Sequence, residues 1–346
     1  MKLGIIFGGV SYEHEISIVS AIAMKDVINV QIEYIFLDEN RDFYHIPTDT
    51  IKSKLFSSSE YKKCQKLLLQ KDGFFTQAGF LSKPKKLEAD VYLNMMHGGD
   101  GEDGVIASLL EFNKLDFIGP RKEACTVSFN KFLTKGYAHS INVKTIDYKY
   151  FTKDDEILIE DFPVIIKPVR LGSSIGVSVV KSKEELEYAL DVAFEFDDAI
   201  IIEPFVNGIK EYNLAACKIA GEFEFSIIEE PQKAEFLDFD KKYLDFARTS
   251  TALKADISKE LEEKIKEKFK AIYNTQFEGA LIRCDFFVKD DEVYLNEINP
   301  VPGSMANYLF SNFDEVIKKL SKSLPKTRKI LINYEYVNKI QASKGK

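Results

Sequence analysis

Residues 281–303 constrain this chain more than any other stretch. Two apolar runs flank Asp290 and Asp291, and acidic turn formers between such runs predict a β-hairpin. Side chains two apart share a face of a strand. Leu281, Arg283 and Asp285 therefore project together on the first strand, and Val293, Leu295, Glu297 and Asn299 on the second. A loop with an odd number of residues centred on Asp291 sets Asp285 opposite Glu297. One face then carries Arg283, Asp285, Glu297 and Asn299, hard oxygen donors beside a guanidinium. Two carboxylates about 4 Å apart repel by roughly 4 kcal/mol at a surface-like dielectric. A divalent cation with oxygen preference offsets that repulsion. The alternative is a solvated outer face on which Arg283 neutralises Asp285 alone. An isolated hairpin favours the solvated face; the remainder of the chain favours the cation.

A chain of 346 residues exceeds one typical core and predicts two or three subdomains. Hydrophobic residues at 45% and charged residues at 29% belong to a soluble globular protein. A net charge of −8 argues against a general nucleic-acid binder, which would carry a basic footprint. No apolar stretch approaches the length needed to span a bilayer, and the opening run at 3–7 is too short for a signal peptide. Cys64, Cys125, Cys217 and Cys284 have no paired spacing. They read as buried thiols of a reducing cytoplasm, not as zinc ligands or a disulfide frame.

In chain order, a strand at 2–7 ends in Gly8-Gly9 and leads to an amphipathic helix over about 15–29. That opening suits a ligand at a helix N-terminus, without the G-x-G-x-x-G of a dinucleotide fold. Glu13, at the helix start, reads locally as charge compensation. A strand follows at 31–37. Residues 38–86 read as peripheral, with short strands around Phe43 and Phe74 and a helical segment near 61–71. A buried strand at 91–96 runs into His97-Gly98-Gly99-Asp100-Gly101-Glu102-Asp103-Gly104, then a helix to about 113. Glycines among charges at a strand's C-terminal end mark a ligand loop in open α/β sheets. His97 is an acid, base or donor to substrate, or equally a structural cap of the strand.

Residues 117–120 read as a domain boundary, after which 122–140 is helical and carries Lys131. Lys167 ends a strand, a Gly/Ser-rich loop follows over 170–176, and a strand resumes at 177–180. Such a loop folds backbone N–H groups and an ammonium over phosphates, although the P-loop pattern is absent. Glu203 is the sole charge in a strand at 199–206, either paired with a cation or holding a polar ligand. A hairpin spans 211–228. Residues 231–251, irregular and rich in charge, read as a lid. Ser258 caps a helix reaching Gln276, and the tail carries helices at about 313–324 and 333–342.

Together, Lys167 with Gly172-Ser173-Ser174-Ile175-Gly176, Glu203, Arg283-x-Asp285 and Glu297-x-Asn299 resemble the ATP-grasp fold. Gly8-Gly9-x-Ser11-x-Glu13, the loop from His97 to Gly104, and Lys242-Tyr243 resemble the D-alanine–D-alanine ligase family within it. The likeness runs nearly end to end. It implies an α/β plus α+β architecture: an N-terminal parallel-sheet domain at 1–120, then two ATP-grasp subdomains. Of these, 121–204 carries the phosphate-binding hairpin loop, and 205–346 the lid and the metal-binding hairpin.

The resemblance implies ATP and two D-alanine molecules as substrates, a D-alanyl phosphate intermediate and a peptidoglycan-precursor product. It assigns two Mg²⁺ (or Mn²⁺) ions to Asp285, Glu297 and Asn299, and phosphate oxygens to Lys131, Lys167 and Arg283. Ser173 and Ser174 belong to the phosphate loop. Adenine falls to Glu203 and the backbone near Val206, and ribose to Glu211. Glu13 anchors the first D-alanine ammonium, with His97 near that substrate's carboxylate. Gly303 and Arg283 meet the tetrahedral oxyanion, Lys242 meets the second carboxylate, and Ser173 and Tyr243 join Glu13 in closing the lid. A cytoplasmic homodimer that engages neither membrane nor nucleic acid is implied as well. Ser304-Met305 and Ala306-Asn307-Tyr308-Leu309 depart from the family's usual Thr and Ser, beside the second subsite. The rival readings are a D-alanine–D-lactate or D-alanine–D-serine ligase and an inactive nucleotide-binding regulator. Tyr243 favours the dipeptide product.

Overall fold

The computed structural model describes residues 1–77, 83–231, 253–326 and 329–344, among which three sheets form. Strands β1 (Lys2–Gly8), β2 (Gln31–Leu37), β3 (Phe43–Ile46), β4 (Gln65–Gln70), β5 (Gly73–Thr76), β6 (Val91–Asn94) and β7 (Phe117–Ile118) build the first. Their order is β5-β4-β3-β2-β1-β6-β7, with β2, β1, β6 and β7 mutually parallel. A parallel strand is covered on both faces, which is why β1 reads as a continuous apolar run. Leu3, Ile5 and Phe7 pack with Ile18, Ala21 and Met24 of helix α1 (His14–Val27). On the other face Ile6 packs against Ile106, Ala107 and Leu110. Because β1 and β6 run parallel, their glycine loops, at 8–13 and 97–104, emerge at the same end of the sheet.

The region at 38–86 extends this sheet through antiparallel β3, β4 and β5. The helical segment expected near 61–71 is instead a short 3₁₀ turn, Glu60–Lys63, followed by β4. Leucine, lysine and glutamine there favour helix locally, but pairing on both sides overrides that preference, and Leu67 is buried in the strand.

The helix expected at 122–140 is two, α2 (Lys122–Phe129) and α3 (Lys131–Ser140). Asn130 breaks it with extended backbone and caps the second helix, its side chain accepting the Leu133 N–H at 3.1 Å. Lys131 thereby opens a new helix beside the cleft. The second sheet comprises β8 (Lys149–Thr152), β9 (Val164–Pro168), β10 (Ser178–Val180) and β11 (Ala199–Pro204), in the order β10-β9-β11-β8 and antiparallel throughout. The third comprises β12 (Lys210–Ile219), β13 (Glu222–Glu229), β14 (Ile282–Lys289) and β15 (Glu292–Asn299), in the order β13-β12-β14-β15. The short strand Lys144–Thr145 lies parallel to β15 at its edge. The helix Lys259–Gln276 covers one face with Ile265, Phe269, Ile272 and Tyr273, and Ser258 caps it as expected. The opposite face contributes Ala215, Cys217 and Leu281 to the core under β1 and α1, which locks the third sheet to the first.

Candidate active site

The hairpin β14–β15 delivers the pairing expected of it by a different route. Asp290 and Asp291 both have positive φ, 50° and 59°, and Lys289 pairs with Glu292, so the turn has two residues. An even turn on its own sets Asp285 against Asn296. A bulge between Asp285 and Phe286 skips Asn296, so Asp285 faces Glu297 and Arg283 faces Asn299. The bulge also corrects the expected face of Val293 and Leu295. Both join Ile282, Cys284, Phe286 and Ile298 beneath the helix Lys259–Gln276, away from Glu297 and Asn299.

On the polar face Arg283 grips Asp285 with both prongs, Nε to Oδ1 at 2.7 Å and Nη2 to Oδ2 at 2.8 Å. Asn299 Nδ2 donates to Asp285 Oδ2 at 3.1 Å. Burial would lower the Arg283 guanidinium, but Asp285 beside it reverses the sign and raises it well above its ordinary range.

Across the cleft, β9 ends in Lys167, whose ammonium lies 2.6 Å from Glu203 Oε2 and 3.5 Å from Asn296 Oδ1. The other Glu203 oxygen lies 2.7 Å from Lys135. Burial would raise the Glu203 carboxyl, but Lys167 and Lys135 outweigh it and hold it down at about 2. Lys131 donates to the Leu171 carbonyl in the Gly/Ser-rich loop after β9, and burial lowers its ammonium against the pull of Glu297. Lys131, Glu297, Asn299, Glu102, Leu171 and Gly172 are among the residues lining a cavity of about 40 Å³.

The same loop reaches the first sheet. Ser173 Oγ donates to Glu13 Oε1 at 2.5 Å, with Ser173 and Ser174 both in the left-handed region at φ 54° and 59°. Glu13 is buried, and its Oε2 has no hydrogen-bond partner among the described residues. Burial, then repulsion from Glu102, raises its carboxyl, and only then does the Ser173 hydroxyl counteract. The glycines around it leave room for nothing larger. A Cβ on Gly172 would sit 2.9 Å from Glu13 Oε1, and one on Gly98 would sit 2.2 Å from Ser11 Oγ and 2.9 Å from Glu13 Oε2. Gly98 also has φ +70°, which favours glycine.

His97 is buried three residues beyond the end of β6, with Nε2 3.1 Å from Ser20 Oγ and Nδ1 3.9 Å from Glu102. Burial drives its pKa down to about 4 and that of Glu102 up to about 8, so the imidazole is uncharged near neutrality. Ser20 Oγ also accepts the Ser304 N–H at 3.1 Å. That contact anchors the turn after Gly303, where Ser304, Met305 and Ala306 are all left-handed, with φ between 46° and 54°. Such a run is costly for residues with a Cβ and persists because it is buried against α1 and the sheet.

The structure thus brings Glu13, Ser173 and His97 to one end of the cleft. Lys131, Glu297 and Asn299 line its centre, and Lys167 and Glu203 form one wall. Val206 follows β11 in irregular backbone, and Glu211 lies on β12 opposite Phe287. Lys242 and Tyr243 lie outside the described residues, as does the expected lid beyond Pro231. Sequence reasoning missed Lys135, Asn296, Ser20 and the buried state of Glu102. For Lys135 a signal existed: it stands four residues after Lys131, on the same helix face. Asn296 gave none, because only the bulge turns it toward Lys167.

This α/β domain, followed by two further sheets that close over a cleft lined by lysines and carboxylates, has the ATP-grasp architecture. The family described as D-ala D-ala ligase N-terminus matches residues 2–120, and D-ala D-ala ligase C-terminus matches residues 139–326. The chain belongs to the D-alanine–D-alanine ligase family. It is 57% identical, over the full length of both chains, to the D-alanine–D-alanine ligase of Wolinella succinogenes. It superposes on the crystal structure of the Helicobacter pylori D-alanine–D-alanine ligase with a TM-score of 0.85, at 49% identity, covering 95% of this chain and all of the other. The fold is also that of the Bacillus anthracis D-alanine–D-alanine ligase complexed with ATP, with a TM-score of 0.62 at 20% identity, over 93% of this chain and 96% of that one.

Proposed function

We propose that this enzyme joins two D-alanine molecules into D-alanyl-D-alanine at the expense of ATP, supplying the dipeptide of a peptidoglycan precursor. The observation that carries the reading is the buried Glu13 carboxylate, with one oxygen held by Ser173 and the other without a partner among the described residues. A buried acceptor of that kind needs a cationic donor, and the ammonium of an amino acid provides one. The domain at 1–120 then carries the first D-alanine, with His97 as a neutral donor near its carboxylate. The nucleotide lies between 121–204 and 205–346.

In the first step a carboxylate oxygen of D-alanine attacks the γ-phosphorus, the bond to the β-phosphate oxygen breaks, and ADP leaves. In the second, the amine of the other D-alanine attacks the acyl carbon, loses a proton, and phosphate departs with one oxygen of the original carboxylate. Phosphoryl transfer of this kind needs positioning and charge neutralisation more than covalent help. Lys131, Lys167 and Arg283 supply positive charge to phosphate oxygens. Ser173 and Ser174 cover those oxygens, the strand end from Glu203 to Val206 faces adenine, and Glu211 faces ribose. The Gly303 N–H and Arg283 meet the oxyanion of the second step. Lys242 holds the second carboxylate, and Tyr243 closes the lid with Ser173 and Glu13, excluding water that would hydrolyse the acyl phosphate.

Asp285, Glu297 and Asn299 fit Mg²⁺ or Mn²⁺ by donor type. They are hard oxygens on facing strands, and among the described residues no third carboxylate, histidine or cysteine completes a cage, which suits ions that also take phosphate oxygens. Held by these residues, such ions would supply positive charge that offsets the charge on the transferring phosphate. No helix of the described residues is long and apolar enough to cross a membrane. We place the enzyme in the cytoplasm as a homodimer with no nucleic-acid partner.

The test uses D-alanine carrying ¹⁸O in its carboxylate. The acyl-phosphate route puts one ¹⁸O into the released phosphate. Unlabelled phosphate released alongside dipeptide would overturn it.

A further inference from the structure

Lys135 lies one helical turn beyond Lys131 on α3, is buried to 3% exposure, and is itself assigned to no substrate. Its ammonium is held on three sides. Glu203 Oε1 is at 2.7 Å, the Ile146 carbonyl accepts at 2.9 Å, and the Tyr148 ring centroid is 5.1 Å away. Lys167 shares the same carboxylate through Oε2, but its further contact, to Asn296, is long at 3.5 Å, and its side chain is more exposed at 13%. The two cations are therefore unequal: Lys135 is fixed, while Lys167 faces the cleft at the end of β9.

Charge explains why a second lysine is present. Glu203 and Lys167 alone would form a closed neutral pair in a buried wall. Moving Lys167 toward a phosphate would then strand a buried carboxylate, which is strongly unfavourable. With Lys135 in place the group carries one net positive charge, and Glu203 keeps a partner when Lys167 turns away. We propose that Lys135 is a positioning residue for the nucleotide, keeping Glu203 neutralised so that Lys167 can transfer from that carboxylate to a nucleotide phosphate. This rests on the reading of Lys167 as a phosphate ligand. The depression of the Glu203 carboxyl to about 2 is consistent with it, since the carboxylate stays charged at every working pH.

The experiment measures MgATP affinity by calorimetry, together with kcat and the KM for ATP and for D-alanine, in the full-length enzyme. Lys135→Met is expected to raise the ATP Kd at least tenfold, with the D-alanine KM within threefold of the parent. Lys135→Arg, which keeps the charge, should stay within threefold. Because Glu203 also faces adenine, Glu203→Gln alone is the reference: adding Lys135→Met to it should change the ATP Kd by less than threefold, since no buried carboxylate is left to neutralise. A general packing defect at Lys135 would cost as much in that background as in the parent. An unchanged ATP Kd in Lys135→Met, or a tenfold further loss when it is added to Glu203→Gln, would overturn the proposal. Lys167→Met separates the two levels. If it leaves the ATP Kd unchanged, the phosphate-ligand reading fails and takes the proposal with it. If it weakens binding while Lys135→Met does not, only the role of Lys135 falls.

Discussion

Replacing Ser173 by alanine removes the hydroxyl that, among the described residues, holds Glu13 in its charged form. The hydrogen bond is short, 2.5 Å, and its acceptor is a buried carboxylate already pushed upward by burial and by Glu102. Hydrogen bonds to charged groups contribute about 1.5–3 kcal/mol. Losing one of that size moves the Glu13 carboxyl up by about one to two pH units. The backbone does not confuse the result, because Ser173 is left-handed at φ 54° and alanine meets the same penalty there as serine. Glycine would relieve that strain and is the wrong control. The KM for the first D-alanine in Ser173→Ala should therefore rise by about ten- to hundredfold, with the ATP KM moved less. The sign of the pH dependence follows from the raised carboxyl. The charged form of Glu13, proposed above to hold the substrate ammonium, is lost as pH falls through its folded pKa, so the defect should deepen toward acid and shrink toward alkali. Initial rates of ADP formation against D-alanine concentration, from pH 6 to pH 9, read both effects. A first-site KM within threefold of the parent with a parallel pH profile would refute the coupling of Ser173 to Glu13.

Gly172→Ala should mimic that defect by steric means, since the new Cβ would sit 2.9 Å from Glu13 Oε1; an unchanged D-alanine KM would show that the loop gives way instead. Ser258→Ala removes the cap that accepts the Leu261 N–H, and chemical denaturation should show a loss of about 1 kcal/mol with activity intact. His97 is held neutral by burial, with a folded pKa of about 4 against an ordinary 6.5, so protonation of the unfolded chain costs stability as pH falls from 6.5 to 4. That loss amounts to about 3 kcal/mol for this group, and a His97→Gln variant, compared by urea titration across the same range, should lack it. Equal slopes for the two proteins would place the imidazole in a more polar setting than its burial indicates.

Strand periodicity and turn residues sufficed to locate the hairpin and the pairing of Asp285 with Glu297, yet the reason lay elsewhere. An even turn and a bulge produce the register that an odd loop was expected to give, and periodicity cannot announce a bulge. For the same reason the faces of Val293 and Leu295 were misread. The 61–71 segment failed differently. Its residues favour helix, and only pairing with two neighbouring strands makes β4 a strand. Glu203 was legible as an acid in need of a cation, because an isolated charge in an apolar strand demands one. Its partners were not, since Lys135 and Lys167 arrive from separate elements. Glu13 shows the limit most plainly. Locally it is a helix-start acid, and its burial against Ser173, 160 residues away in sequence, appears only in the folded chain.

The central claim is tested most directly by the mass of the product formed from MgATP and unlabelled amino acids, with phosphate release followed in parallel. D-alanine alone should stimulate release and yield D-alanyl-D-alanine, while L-alanine should do neither. Product only from D-alanine paired with D-lactate or D-serine, or no stimulation by any D-amino acid, would contradict the account.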